Sequence, residues 1–403
     1  MSNAMYMDSI VVGGSISGLM HALVLRSLGY DVCVIKSRVE EEMQTRAAGL
    51  SLWSYAQKLI ASFASDMDIQ TIAIPNRTTQ IMSGNGLLIA EVPVSDDIRT
   101  SSWTTVHSRL RESCETELEG YGTVHFDTGK TVHHISEENG IMRVAYHDEL
   151  GSEAVLLSGL VIAADGARSF VRSQVLPDVK PKYAGYLAWR GHIPETKAPD
   201  ELKGALSGHL TFFMMDGGYI LTYLTPGEND SIRVGERLIE WCWYDHCDAL
   251  STDFAEFMTD NRGKLHNVTV PAEFLRPEVW AVQLTQRKEI LPPLWQNVLA
   301  WTKSPLLTAV HSFDNTRASF FAGKLLLVGE AYIQIRPHIG ASCDISALQS
   351  LTLAEVMNGE KTMVEWEAEV AKHAMAKATG SKATGLFGMT GKWPEWHLSP
   401  STG

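Results

Sequence analysis

The chain has no run of about 18 apolar residues, the length a membrane-spanning helix needs, so no transmembrane segment is expected. It is poor in cysteine, with Cys33, Cys114, Cys242, Cys247 and Cys343 only. An odd number without a CxxC pair argues against a disulfide framework and points to reduced thiols and a cytoplasmic location. No metal-ligand set is assigned. Positive charge is also in deficit: 34 Lys and Arg against 47 Asp and Glu give a formal charge of −13. That balance disfavours nucleic acid and anionic membrane as partners and favours a small molecule. Met1-Ser2-Asn3-Ala4 ahead of Met5 reads as an expression-vector remnant, not a targeting signal.

What is present begins at Ser9. Ile10 to Val12 form a short apolar run, a glycine-rich turn follows (Gly13-Gly14-Ser15-Ile16-Ser17-Gly18), and Leu19 to Leu28 repeat apolar residues at helical spacing. A second apolar run, Val32 to Ile35, closes a βαβ unit. Gly13 permits the tight turn, Gly18 lets helix and strand approach, and the helix N-terminus offers N–H groups to a pyrophosphate. Two positions break the usual dinucleotide pattern: Ser15 replaces the second glycine, and Lys36 stands where an acidic residue would hold ribose hydroxyls.

At 403 residues, two domains sharing an interface are expected. A charged loop covers 38–46, small residues Ala47-Ala48-Gly49 follow, and a helix is expected to about Ala64. Ser83-Gly84-Asn85-Gly86 marks a hairpin. The run Leu160 to Ala164 ends in Asp165-Gly166, followed by Arg168 and Arg172, which this reading leaves available to phosphate. Residues 183–245 read as β-rich, with aromatics alternating on successive strands, either as ordinary sheet core or with one face towards a pocket. Residues 252–312 read as mainly helical. Leu325 to Val328 lead to Gly329-Glu330, then Arg336-Pro337-His338-Ile339-Gly340-Ala341 and a helix from about Cys343. Periodicity is lost beyond Ala376, which reads as a mobile end.

The glycine-rich turn Gly13 to Gly18, Asp165-Gly166 and Gly329-Glu330, in this order and spacing, resemble the single-component FAD-dependent aromatic hydroxylases of the para-hydroxybenzoate hydroxylase type. The likeness spans nearly the whole chain. Tyr183 to Gly191 and Arg336-Pro337-His338 bring it nearest to the hydroxypyridine hydroxylases, where Ser15 is a branch trait. The resemblance implies an α/β fold: a Rossmann-like FAD-binding domain (5–75, 98–182 and 313–375) with an inserted β-sheet substrate domain (76–97 and 183–312) and a C-terminal tail (376–403). It implies FAD held by Gly13, Ser15, Ile16, Ser17, Gly18, Lys36, Ser37, His107, Asp165, Gly166, Gly329, Glu330, Pro337, Gly340 and Ala341. The implied reaction uses NAD(P)H and O2, and a flavin C4a-hydroperoxide passes one oxygen to a small aromatic or N-heteroaromatic ring. His338 is then the ionisable group beside the flavin, where it either assists deprotonation of the substrate or merely packs. A homodimer is the assembly to test.

Five positions depart from the family pattern: Lys36 for Glu, Glu330 for Asp, Ser342 and Cys343 for glycines, and His107 where relatives place Arg. Two readings therefore stay open. One is an active FAD-dependent monooxygenase. The other is the same fold with impaired or lost FAD binding, carrying out a non-redox isomerisation or cyclisation, or binding alone. A third, an NADP-dependent reductase using Lys36-Ser37-Arg38, has no place for Gly329-Glu330 or Arg336-Pro337-His338.

Overall fold

The computed structural model describes residues 5–37, 49–64, 66–302 and 305–395; the expected charged loop at 38–46 and Ala47-Ala48 lie outside these. Among the described residues the strands make two sheets, one of eight and one of nine.

The first sheet is built on strand Met5–Val12, which pairs in parallel with Val32–Lys36 on one side and Glu153–Ala163 on the other. Glu153–Ala163 is in turn parallel to Leu325–Leu327. Because Val12 is level with Ala163, and Ala163 with Leu327, the turns at Gly13, Asp165 and Gly329 leave the same sheet edge side by side. That edge, at the carboxyl ends of parallel strands, is where open α/β sheets bind ligands. Near-continuous burial of Ile10, Val11, Val34, Ile35, Val161 and Ile162 is the reason these runs lack strand alternation: both faces of each strand are covered, with helix Ile16–Ser27 packed on the parallel strands. Thr131–Glu138 and Ile141–His147 extend the sheet as an antiparallel hairpin.

The second sheet runs in the order Thr269–Val270, Leu306–Ser312, Lys182–Pro194, Leu238–His246, Gly218–Thr225, His209–Met215, Ile74–Met82, Leu88–Ser102, Gly49–Leu52. Its two faces bury different chemistry. Trp189, Trp241, Trp243, Phe213 and Ile220 pack onto helices that contribute Leu202, Trp280 and Trp295. The opposite face carries Tyr186, Phe212, Tyr219, Cys242 and Tyr244.

Two expectations are corrected. Helices Thr252–Phe257, Pro277–Gln286 and Pro293–Trp301 are present, but Leu306–Ser312 is a strand paired along Lys182–Pro194. A short apolar run such as Leu-Leu-Thr-Ala-Val has no period that separates strand from buried helix. Order also does not end at Ala376: helix Met363–Thr390 starts at a capping box between Thr362 and Glu365 and stops at Gly391, whose φ is +70°. Its buried positions include Ala374, Ala378, Ser381, Ala383, Gly385 and Gly388, small residues that leave no apolar stripe in the sequence. No helix of the described residues is long and apolar enough to cross a membrane.

A very close approach joins helix Ile16–Ser27 to the turn before it. A Cβ built on Gly18 would stand 1.9 Å from the Gly13 carbonyl oxygen, which is backbone and cannot swing aside. Gly18→Ala should therefore cost about 1–3 kcal/mol, as overpacking does, read as a lower urea midpoint at unchanged slope.

Candidate active site

The nucleotide end follows from the turn. Gly13 has φ +108°, and a side chain there would meet the Ala164 carbonyl oxygen at 2.3 Å. Ser15, the N-cap of helix Ile16–Ser27, makes no side-chain cap, and the helical ladder opens only with Leu19 N–H donating to the Ser15 carbonyl. The first-turn N–H groups and the positive dipole end are left for an anion. The buried Ser17 hydroxyl has no hydrogen-bond partner and lies against Gly329, where a Cβ would be 2.5 Å from it.

Lys36 is buried at the end of its strand, and its side chain runs beside Gly14, whose added Cβ would meet Lys36 Cδ at 3.1 Å. Ser37 is exposed next to it. His107 stacks on Trp103 at 4.5 Å and donates from Nε2 to the Gly14 carbonyl at 2.9 Å, so it steadies the turn by its backbone.

At the neighbouring strand end, Asp165 accepts from Ser169 Oγ at 2.5 Å and from Val171 N–H at 3.1 Å, capping the short helix Phe170–Val175. Gly166, at φ +80°, has open space where a Cβ would be. The expectation that Arg172 is available to phosphate fails. It is buried and donates to the carbonyls of Ala167 at 2.5 Å, Glu330 at 3.3 Å and Ala331 at 3.1 Å, binding the Asp165 loop to the Glu330 loop. Arg168 stays exposed.

Gly329 takes φ +56° and donates its N–H to Gln349 Oε1 at 2.8 Å. Glu330 is reached by solvent although protein surrounds it, as for a residue lining a deep cleft. Burial raises its carboxyl pKa and the Arg190 charge opposes the rise. Arg336 leads into the single turn Pro337–Ile339, Gly340 turns the chain at φ +62° against Ser51, and Ala341 begins helix Ser342–Met357 without a side-chain cap. This is a second open helix N-terminus. Cys343 in its first turn has a thiol pushed up to about 12, mainly by burial and also by Glu330. Asp344 turns away from the cleft: fully buried, it caps helix Ser54–Phe63 through Tyr55 N–H at 2.8 Å and faces His373 at 3.2 Å and Lys377 at 3.6 Å.

His338 sits on the far side of this loop. Tyr186 Oη lies 2.6 Å from its Nε2, and Tyr219 Oη bonds its Nδ1. With both nitrogens engaged and the ring buried, desolvation, then the charges of Arg336 and Arg190, push its pKa down to about 3. One tyrosine donates to this neutral ring while the other accepts its N–H. Both ring nitrogens are thus taken up by tyrosines, and the imidazole is linked to its surroundings through Tyr186 and Tyr219. Gly385 covers it, since a Cβ there would stand 2.4 Å from Nε2.

Sequence reasoning passed over the charged part of this sheet face. Arg190 is set in line with Tyr186 and Ala188, level with Cys242, and Tyr223 is level with Glu240. Arg190 is deep yet partly accessible, with its charge felt at Glu240, Glu330 and His338. Among the described residues it has no carboxylate within 4.0 Å. Burial lifts the Glu240 carboxyl to about 7 against the pull of Arg190. The alternation Tyr186, Ala188, Arg190 was the available signal, because it puts a cation on the same face as the aromatics.

Two open helix N-termini, glycines that admit close approach and an orphaned serine hydroxyl fit the pyrophosphate of a flavin dinucleotide. The aromatic sheet face carrying Arg190 lies beside Glu330.

Comparison with known proteins agrees with this geometry. The family model described as an FAD binding domain matches residues 6–208, and one described as FAD binding domain-like matches 183–312. The chain is 28% identical over 355 residues to 2,6-dihydroxypyridine 3-monooxygenase of Paenarthrobacter nicotinovorans, covering 86% of this chain and 81% of that protein. It is 23% identical over 353 residues to 6-hydroxynicotinate 3-monooxygenase of Bordetella bronchiseptica, covering 85% and 81%. The solved structure of 2,6-dihydroxypyridine-3-hydroxylase from Arthrobacter nicotinovorans superposes with a TM-score of 0.81 at 25% identity, over 98% of this chain and 95% of that one. A salicylate hydroxylase substrate complex, at 17% identity, shares the fold with a TM-score of 0.70 over 100% and 91%.

The neutral His338 makes a prediction about acid stability. Its folded pKa of about 3 lies below the ordinary histidine value of 6.5, so between these values the unfolded chain holds the extra proton and stability falls as pH drops. The slope this one group adds is at most about 1.4 kcal/mol per pH unit. His21, lowered to about 4, acts in the same direction. Urea unfolding from pH 7 to pH 4 should give a shallower pH dependence for His338→Gln than for wild type, and equal slopes would contradict the assignment.

Proposed function

The chain belongs to the FAD-binding-domain family of single-component aromatic hydroxylases, and from that premise we propose that it is an FAD-dependent monooxygenase acting on a small electron-rich aromatic or N-heteroaromatic ring with NAD(P)H and O2. Bound FAD supplies the redox chemistry: reducing equivalents enter from NAD(P)H and one oxygen atom of O2 passes to the ring. The observation that carries the proposal is the convergence of two uncapped helix N-termini, at Ile16 and Ser342, on the cleft that Glu330 lines and Arg190 faces.

In this reading two sets of residues divide the labour. Residues 5–75, 98–182 and 313–375 hold the dinucleotide: Gly13, Ser15, Ile16, Ser17 and Gly18 at the pyrophosphate, Lys36 and Ser37 at the adenosine end, Gly329, Glu330 and Pro337 to Ala341 towards the ring system. Residues 76–97 and 183–312 hold the substrate. Arg190 binds an anionic ring oxygen, since a deep guanidinium without a carboxylate at hand gains most from a charge-assisted hydrogen bond. The wall of Tyr186, Tyr219 and Tyr244, nearly closed to solvent, excludes water from the ring. His338 joins Tyr186 to Tyr219 so that a proton shifts along one fixed line. Hydroxylated pyridines are the favoured substrate class, as the names of two relatives that this chain matches along most of its length contain a dihydroxypyridine and a hydroxynicotinate. Five free cysteines suit a reducing cytoplasm.

Purified protein should be yellow with near-stoichiometric flavin, and hydroxylated pyridines should stimulate its NAD(P)H oxidation. A colourless protein that takes up no added FAD would favour a non-redox use of the cleft instead. Lys36→Glu should tighten FAD binding about 10-fold or more, as regaining a charged hydrogen bond to a ribose does, measured by flavin fluorescence titration. Arg190→Gln should raise KM at least about 10-fold for a substrate bound as an anion while leaving flavin content unchanged.

A further inference from the structure

We propose that His133, His147 and Glu153 form a binding site for a divalent transition-metal ion of the zinc type, on the antiparallel extension of the first sheet. The three residues come from adjacent strands, Thr131–Glu138, Ile141–His147 and Glu153–Ala163, with His147 directly opposite Glu153. The pairing register slips between Val132 and His134, which leaves His133 as the extra residue of a β-bulge. The bulge breaks strand alternation: Val132 and Ile135 are both buried, while His133 and His134 both point away from that core. Such an insertion re-aims a side chain, and here it brings the His133 ring against His147, stacked at 4.0 Å and 21°.

The facing atoms have the right chemistry. His133 Nε2 and His147 Nδ1 are each shielded from solvent and have no hydrogen-bond partner. His147 Nδ1 is 3.8 Å from Glu153 Oε1, and one donor atom of each residue lies within 4.8 Å of the others. Leaving two desolvated ring nitrogens unsatisfied is costly, and a cation satisfies both at once. Zinc–nitrogen bonds of about 2.0–2.1 Å in a tetrahedral shell put donors about 3.3 Å apart, so to close the site the two half-exposed imidazoles turn out of their stack, which aims both lone pairs at one point, and the exposed Glu153 swings in. Two imidazoles and one carboxylate suit zinc-type ions over calcium or magnesium. Three protein ligands leave one coordination position to water or another ligand. Glu153 opens its strand and Asp165 follows its far end, about 30 Å away at the usual rise per residue, so this site is separate from the flavin cleft.

The test uses the chelator-treated flavoprotein. Titration with Zn2+ against a chromophoric chelator should find one tight equivalent, weakened at least about 10-fold in His133→Ala and in His147→Ala. Glu153→Gln, at an exposed position, should weaken it less while leaving the fold intact. Co2+ should give the intense visible bands of a low-coordinate site, and Zn2+ should raise the unfolding temperature of wild type but not of His147→Ala. Zn2+ affinity unchanged in all three variants, or only the weak spectrum of octahedral Co2+, would overturn the proposal.

Discussion

The structure depends on how closely backbone meets backbone at the edge of the first sheet. Gly18 lies against the Gly13 carbonyl, Gly13 against that of Ala164, and Gly329 against Ser17. None of these contacts leaves room for a Cβ, so helix Ile16–Ser27 and three strand ends are locked at spacings only glycine permits. The same geometry leaves the helix N-terminus uncapped and facing outward. Stability and ligand binding therefore make opposite demands on one turn: a side-chain cap would satisfy the first N–H groups and occupy the space a pyrophosphate needs.

The second constraint joins the two sheets. Helix Met363–Thr390 lies across the tyrosine face with Gly385 on His338 and Gly388 on the Tyr219 ring. Close packing there shuts His338 away from water, and that desolvation keeps it neutral. On the other side, Arg172 ties the Asp165 and Glu330 loops through three carbonyls, also as a buried cation whose charge is answered by backbone dipoles. Both devices fix the loops around the cleft without placing a mobile charge inside it.

How much of this could be read beforehand follows from the kind of signal each part leaves. The βαβ unit was legible because its runs are apolar and its glycines obligatory, and the neighbouring ends at Asp165 and Gly329 because the same strand-then-glycine pattern repeats. The assignment of ligand and reaction came from resemblance, not from periodicity. Helix Met363–Thr390 was cut short because its buried face is made of Ala, Ser and Gly, which pack through their smallness and carry no hydrophobic period. Arg172 was misread because a strand–turn–arginine pattern looks the same whether the guanidinium meets a phosphate or three carbonyls. Arg190 and Glu240 were passed over because charges within aromatic strands acquire meaning only once the register shows them on one face.

The departures from the family pattern also read differently once placed. Glu330 and Cys343 are not scattered changes: Glu330 acts on the Cys343 thiol and Arg190 on Glu330, and Ser342 is the first residue of the same helix. A longer carboxylate in reach of a deep arginine's field is stabilised by it, and the thiol beside that carboxylate is kept protonated, so this group of changes is internally balanced in charge. Lys36 stands apart, at the other end of the cleft beside Gly14. Under the proposed function it meets the ligand's adenosine end, while the ring end keeps its open helix N-terminus. Under the proposed function, changes divided this way bear on how tightly the dinucleotide is held more than on what is done at its reactive end.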